Sequence, residues 1–342
     1  MKSKETENQF TLEETQEAVL YSELAYYEEH SEGFKKVIKD IENHGGISKL
    51  KKIVPFYKTE SQDPHELAGV VATTDDKIIV AYRGTSTINQ VENDLKAYHA
   101  EMPLGKKYSV SVHAGCLNEY NSSNKDKERA IIEAKEGRQY NKFLFTGHSL
   151  GAGSATLAAM QHKFKNTNSN INVILFGSAR FVSHNAAKSY EKSGLAQNTL
   201  NLQQKYDPVT MLPAKALDYT HVGHVVEIDT VMGDGVHLLS GPYNAMITGK
   251  YKAETHHAIT KLGVVAKAEA YKPIEISQYK KYLMGISPVV FRSMMSNKKT
   301  AIISTIGMGV MAGIKSLSFS PTQSVDYNPK LFRKTNIQKL SH

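Results

Sequence analysis

Ser149 lies between Gly147 and Gly151 in the stretch Lys142–Gly153, KFLFTGHSLGAG. A short apolar run predicts a buried strand, G-x-S-x-G follows, and a helix is predicted from Leu150 through about Phe164. This is the order a nucleophile elbow requires, with a turn so tight that its central residue is forced into strained backbone geometry. Residues two before and two after the serine must be very small where strand and helix touch, and Gly147 and Gly151 meet that demand. Ala152 and Gly153 keep the start of the helix slim. The helix N-terminus would add partial positive charge and N–H groups beside the serine oxygen. A tight strand-to-helix turn carrying an ordinary exposed serine is the simpler alternative.

A serine hydroxyl is a weak nucleophile and needs a base, which in turn needs an orienting carboxylate. Asp207 suits the carboxylate. It follows a predicted strand, Gln197–Leu202, after a short polar stretch, and Pro208 stiffens the chain behind it. Glu227 and Asp229 compete less well, because they fall within a later predicted strand. For the base, His221 and His224 read as structural strand residues and His237 lies in a Gly-rich turn. His256-His257 opens an apolar segment, HHAITKL, about fifty residues past Asp207. His257 is preferred, because Ala258 and Ile259 follow it, and His256 is the alternative base. Donors for a developing oxyanion are expected from the backbone N–H of Leu150 and from Thr85, in the loop Arg83-Gly84-Thr85-Ser86 after a predicted strand.

The elements that would position these groups alternate along the chain. Thr11-Leu-Glu-Glu14 is a capping-box pattern predicting a helix to about Tyr27. A mixed polar region runs to about residue 65. Leu67–Thr73 and Lys77–Tyr82 predict two strands joined by Thr74-Asp-Asp76. Lys125–Tyr140 predicts a helix, and Ile171–Phe176 and His224–Asp229 predict further strands. Strands alternating with helices over some two hundred residues imply an α/β sheet covered on both faces.

In this order the motifs resemble the class 3 lipases, the fungal-type family of α/β-hydrolases. IIVAYRGTST resembles the family's strand and oxyanion loop, VHAGC at Val112–Cys116 its V-H-x-G-F segment, and TGHSLGAG its elbow. VILFGSARFVSHNAA resembles the strand carrying G-x-P-R-x-G-N, YDPVTMLP the D-x-V-P-x-L-P segment, and THVGHVVEI the strand after it. HHAITKL fits the closing H-x-x-x-x-Y more loosely. The resemblance spans about residues 65–265. It implies an α/β-hydrolase fold with a mostly parallel central sheet, and ester hydrolysis through an acyl-enzyme on Ser149, Asp207 and His257 with Thr85 and Leu150 as the oxyanion hole. It implies no cofactor, a lipid ester as substrate, His148 beside the substrate, and a lid over Ile88–Leu95 with Ile88 and Val91 facing the lipid. There are departures. The chain has no tryptophan, the lid's apolar face is thin, Gly177-Ser-Ala-Arg180 lacks the proline, and the closing tyrosine is missing. These leave the chemistry intact and weaken the case for long-chain triacylglycerol. A catalytically silent lipid-binding or membrane-targeted interaction protein, and an acyltransferase using the same acyl-enzyme, are the rival functions.

Composition bounds the rest. Among 342 residues there is one cysteine, Cys116, so no internal disulfide can form, and a buried role is expected for it. No C-x-x-C or H-E-x-x-H pattern suggests a metal. The net charge is +8, yet Tyr271–His342 holds eleven Lys or Arg against Glu275 and Asp326. The basicity therefore belongs to the tail, which argues against nucleic-acid binding by the body. Three regions are expected: an N-terminal helical segment at 1–64 packing on the body, an α/β-hydrolase domain at 65–270, and a basic C-terminal extension at 271–342. Within the extension, Thr300–Ile314 is fifteen residues without a charge. As a helix it would reach about 22 Å, short of a hydrocarbon core of about 30 Å. Packing on the body, docking on an anionic membrane surface, and partner binding are its three readings. The amino terminus, MKSKETENQF, has no apolar h-region, so cytoplasmic residence or export without a cleaved signal peptide is expected.

Overall fold

A computed structural model of the chain describes residues 10–44, 48–59, 66–84, 98–105, 108–204, 207, 209–213 and 215–228. The expectations for residues 271–342, including the apolar run 300–314, lie outside them.

The capping box at Thr11 forms in both halves. Glu14 N donates to Thr11 Oγ1 at 3.1 Å, and Thr11 N donates to the Glu14 carboxylate at 3.2 Å. It starts α1 (Leu12–Leu24), and α2 (Glu32–Asn43) follows. Strands β1 (Leu50–Tyr57), β2 (Leu67–Thr74) and β3 (Lys77–Tyr82) form an antiparallel run. From β3 onward the sheet is parallel, through β6 (Lys142–His148), β7 (Asn170–Phe176), β9 (Thr199–Gln204) and β11 (His224–Ile228). The order of this seven-stranded sheet is β1-β2-β3-β6-β7-β9-β11. A second, antiparallel sheet has the order β10-β8-β5-β4, from β4 (His99–Gly105), β5 (Tyr108–His113), β8 (Val182–Ser183) and β10 (Tyr219–Thr220).

The period of two along each parallel strand divides the core into two layers. Ile78, Val80, Tyr82, Phe143, Phe145, Val173 and Leu175 face one layer, while Ile79, Ala81, Leu144, Ile174 and Phe176 face the other. Two helices cover the first face, α3 (Ala114–Lys135) and α4 (Leu150–Lys165), while α5 (His184–Lys192) packs on β5 and β8 of the second sheet. α1 and α2 cover the second through Leu20, Leu24, Val37 and Ile41. A mostly parallel sheet clothed by helices on both faces is thus the architecture.

Several elements differ from expectation. The mixed polar region before residue 65 holds α2 and β1, so the large sheet begins upstream of that boundary. β1 is an edge strand with only Val54 and Phe56 buried, which explains its weak apolar signal. α3 begins at Ala114, well before Lys125; Ser122, Ser123 and Lys127 are buried within it and mask its apolar period. His221 lies between β10 and β11, outside any strand.

Candidate active site

Parallel strands end at one edge, and that edge collects the chemistry here. β3 runs out into Arg83-Gly84, β6 into Ser149, and β9 into the loop that carries Asp207. Ser149 occupies φ 59°, ψ −124°, a backbone region that L-residues rarely adopt. The chain holds it there. Ser149 N donates to the carbonyl of Phe176, the last residue of β7, at 3.0 Å, and Ala152 N closes back on Ser149 O at 3.1 Å. The side chain does not cap α4, so the helix N-terminus and its dipole face the serine without being satisfied by it. Leu150 opens that helix, and its side chain is buried.

The two flanking glycines serve different contacts. A Cβ on Gly147 would stand 2.4 Å from the carbonyl oxygen of Gly151, which is the strand-on-helix contact expected from the motif. A Cβ on Gly151 would instead meet the carbonyls of Tyr82 and Arg83 at 2.4 and 2.6 Å. The second glycine therefore admits the loop after β3 to the elbow. Gly84, in that loop, lies so close that a Cβ on it would be 3.3 Å from Ser149 Cβ.

Asp207 is buried in a turn it organises itself. Its Oδ1 accepts from Val209 N at 2.9 Å, and its carbonyl accepts from Thr210 Oγ1 at 2.8 Å. Two side chains brace the loop from outside, and sequence reasoning assigned neither this role. Arg180 is 5% exposed; its Nη1 donates to the Met211 carbonyl and, at 2.9 Å, to that of Pro213. His221 Nε2 lies 2.9 Å from the Thr210 carbonyl, while Gln203 Nε2 lies 3.2 Å from its Nδ1. A carbonyl only accepts, so Nε2 carries the proton and Nδ1 receives the amide. Burial first, then the charge of Arg180, pushes the His221 pKa down to about 3, and the ring is neutral. With both nitrogens engaged, His221 serves the loop. His224 opens β11, at the far end of a strand parallel to β9, away from the serine's edge. Glu227 is exposed on that strand.

His148 is buried, with Nδ1 2.8 Å from the Tyr26 hydroxyl. Cys116 is fully buried, as expected, and touches the slim start of α4: a Cβ on Gly153 would be 2.5 Å from its sulfur. His113, from the VHAGC stretch, caps α3 by accepting from Cys116 N at 3.3 Å. Thr85, Ile88, Val91, Asp229, His237, His256 and His257 lie outside the described residues. Among the described residues, no three His, Cys, Asp or Glu gather as a metal would need, and no helix is long and apolar enough to cross a membrane.

A serine at a strained strand-to-helix turn and a buried aspartate loop thus lie at the same sheet edge. The family model for lipase (class 3) matches residues 79–217, the span from β3 through the Asp207 loop. This segment is similar to the class 3 lipases. A lipase of Rhizopus niveus is 27% identical over 161 residues, covering 45% of this chain and 40% of that protein. The chloroplastic phospholipase A(1) DAD1 of Arabidopsis thaliana is 28% identical over 190 residues, covering 48% and 42%. The chain thus spans about two-fifths of the length of the curated relatives it matches. Among solved structures, lipase II from Rhizopus niveus superposes with a TM-score of 0.50 at 23% identity, over 66% of this chain and 83% of that one. The lipase of Rhizopus microsporus var. chinensis gives 0.50 at 22%, over 64% and 74%. The matched segment therefore sits in an α/β-hydrolase fold, as its motifs implied. Tyr26, in contact with the elbow, stands outside the matched segment.

Proposed function

We propose that the protein is a serine ester hydrolase acting on lipid esters. The observation that carries this is Ser149 at φ 59° on the N-terminus of α4, with the buried Asp207 loop at the same sheet edge. In this reading His257 takes the Ser149 proton, with His256 as the alternative base, and Asp207 orients the imidazolium. The serine oxygen forms a bond to the ester carbonyl carbon. The oxyanion rests on the N–H groups of Leu150 and Thr85. The carbon–oxygen bond to the alcohol then breaks, and the alcohol leaves with the proton from the base. Water repeats the sequence on the acyl-enzyme and releases the fatty acid.

The relatives include a lipase and a phospholipase A(1), so neutral glycerides and phospholipids are both candidate substrates. Ile88 and Val91 would face the lipid, with His148 behind the serine. The eleven basic residues after Tyr271 favour an anionic membrane surface as the place of action. The test is fatty-acid release from vesicles holding phosphatidylglycerol, phosphatidylcholine and diacylglycerol, comparing wild type with Ser149→Ala. Release that Ser149→Ala abolishes supports the reading, and the lipid consumed names the class. Vesicle binding without release would overturn it in favour of a lipid-binding role. Acyl transfer to an added alcohol in place of free acid would make the protein an acyltransferase.

A further inference from the structure

Tyr26 follows the end of α1 by two residues, yet its hydroxyl stands where three chain segments meet. It is 2.8 Å from His148 Nδ1, the residue before the nucleophile. A Cβ on Gly84 would fall 2.2 Å from the same hydroxyl and 2.6 Å from the His148 carbonyl. The hydroxyl thus packs directly against the Gly84 backbone. Burial holds the phenol well above its ordinary pKa, so it stays a neutral donor.

Gly84 precedes the proposed oxyanion donor Thr85, and His148 precedes Ser149. One hydroxyl therefore ties the strand end that leads to the donor to the strand end that carries the nucleophile. We propose that Tyr26 is a positioning residue that fixes the spacing between Ser149 and the oxyanion loop after β3. This rests on the hydrolase reading. It also extends the working site to an N-terminal segment that the class 3 lipase match does not include. The anchoring of α1 does not depend on Tyr26: Leu20 and Leu24 are buried on the sheet, and Ser22 Oγ lies 2.8 Å from Thr146 Oγ1. The Tyr26 ring itself is only half-buried.

The experiment compares wild type, Ser149→Ala, Tyr26→Phe and Ser22→Ala as full chains on p-nitrophenyl butyrate. Rates are taken per serine titrated by a fluorophosphonate, so that misfolded protein does not count. Tyr26→Phe is expected to lower kcat about 10- to 100-fold with KM within about twofold, since the loss falls on transition-state geometry. Ser22→Ala loses a buried bond from the same helix and should lower the melting temperature with kcat unchanged. His148→Gln reads the other end of the contact should Tyr26→Phe not fold, and should also lower kcat. Tyr26→Phe within twofold of wild-type kcat, or an equal loss in Ser22→Ala, would overturn the proposal. No Ser149-dependent turnover in wild type would instead overturn the hydrolase reading itself, and this inference with it.

Discussion

Replacing Gly151 by alanine sets helix propensity against a steric conflict at the elbow. In an isolated helix the change stabilises by about 1 kcal/mol. Here the new Cβ would lie 2.4 Å from the Tyr82 carbonyl oxygen, 2.6 Å from that of Arg83 and 2.7 Å from the Arg83 carbonyl carbon, where ordinary contact begins at 3.4 Å. All three are backbone atoms, so no rotamer change relieves them. They are also pinned: Tyr82 pairs with Gly147 in the parallel ladder, and Arg83 N donates to Ala68 O at 2.9 Å. The loop must recede by about 1 Å, and overpacking of this kind costs about 1–3 kcal/mol. The clash wins. Gly151→Ala should lower the melting temperature by several degrees, at roughly 2–4 °C per kcal/mol for a domain of this size. Because the displaced backbone leads directly into Gly84, kcat should fall about 100-fold. Gly153→Ala is the contrast. Its Cβ would meet Cys116 Sγ and the Phe181 ring at 2.5 Å, both side-chain atoms rather than the backbone of the loop after β3. It should cost stability while keeping kcat within about threefold. Calorimetry and kcat per titrated serine read both variants. A Gly151→Ala protein that melts higher and turns over normally would refute the reasoning.

Two further outcomes follow from single residues. Ser149→Gly removes an L-side chain from φ 59°, ψ −124°, which should return about 1–3 kcal/mol and raise the melting temperature even as fluorophosphonate labelling disappears. A lower melting temperature would count against strain at the elbow. His113 gives an acid dependence: it is 1% exposed, its pKa is pushed by burial down to about 4, and its Nδ1 must stay unprotonated to cap α3. The unfolded chain takes up this proton near pH 6.5 and the folded one only near 4, so the stability is complete above 6.5 and drains as pH falls towards 4. The slope is about 1.4 kcal/mol per pH unit for one proton. Urea unfolding at pH 7, 6 and 5 should show it, and His113→Asn, which retains a capping oxygen, should flatten it by about one proton.

How far the chain could be read depended on how local each signal was. The capping box at Thr11, the β2–β3 hairpin turn and the strand–Ser149–helix unit all form from neighbouring residues, and each appears where its pattern lies. Edge and surface elements hid. β1 buries only two side chains, and β8 and β10 are two residues each, too short for any period to register. Asp207 could be chosen from its place after β9, but not the means of holding it, since Arg180 and His221 reach it from either side of its own loop.

The sequence by itself determined the turn that carries Ser149, because the small residues at 147 and 151 permit a close approach that larger ones forbid. It also determined the sheet's apolar faces, through an alternation that needs no partner to be seen. Only the tertiary structure decided which strand ends share an edge, and that a tyrosine 122 residues before His148 joins the elbow to the loop after β3. Such contacts depend on strand order and on which face α1 covers. Those are properties of the whole sheet, and no window of the chain contains them.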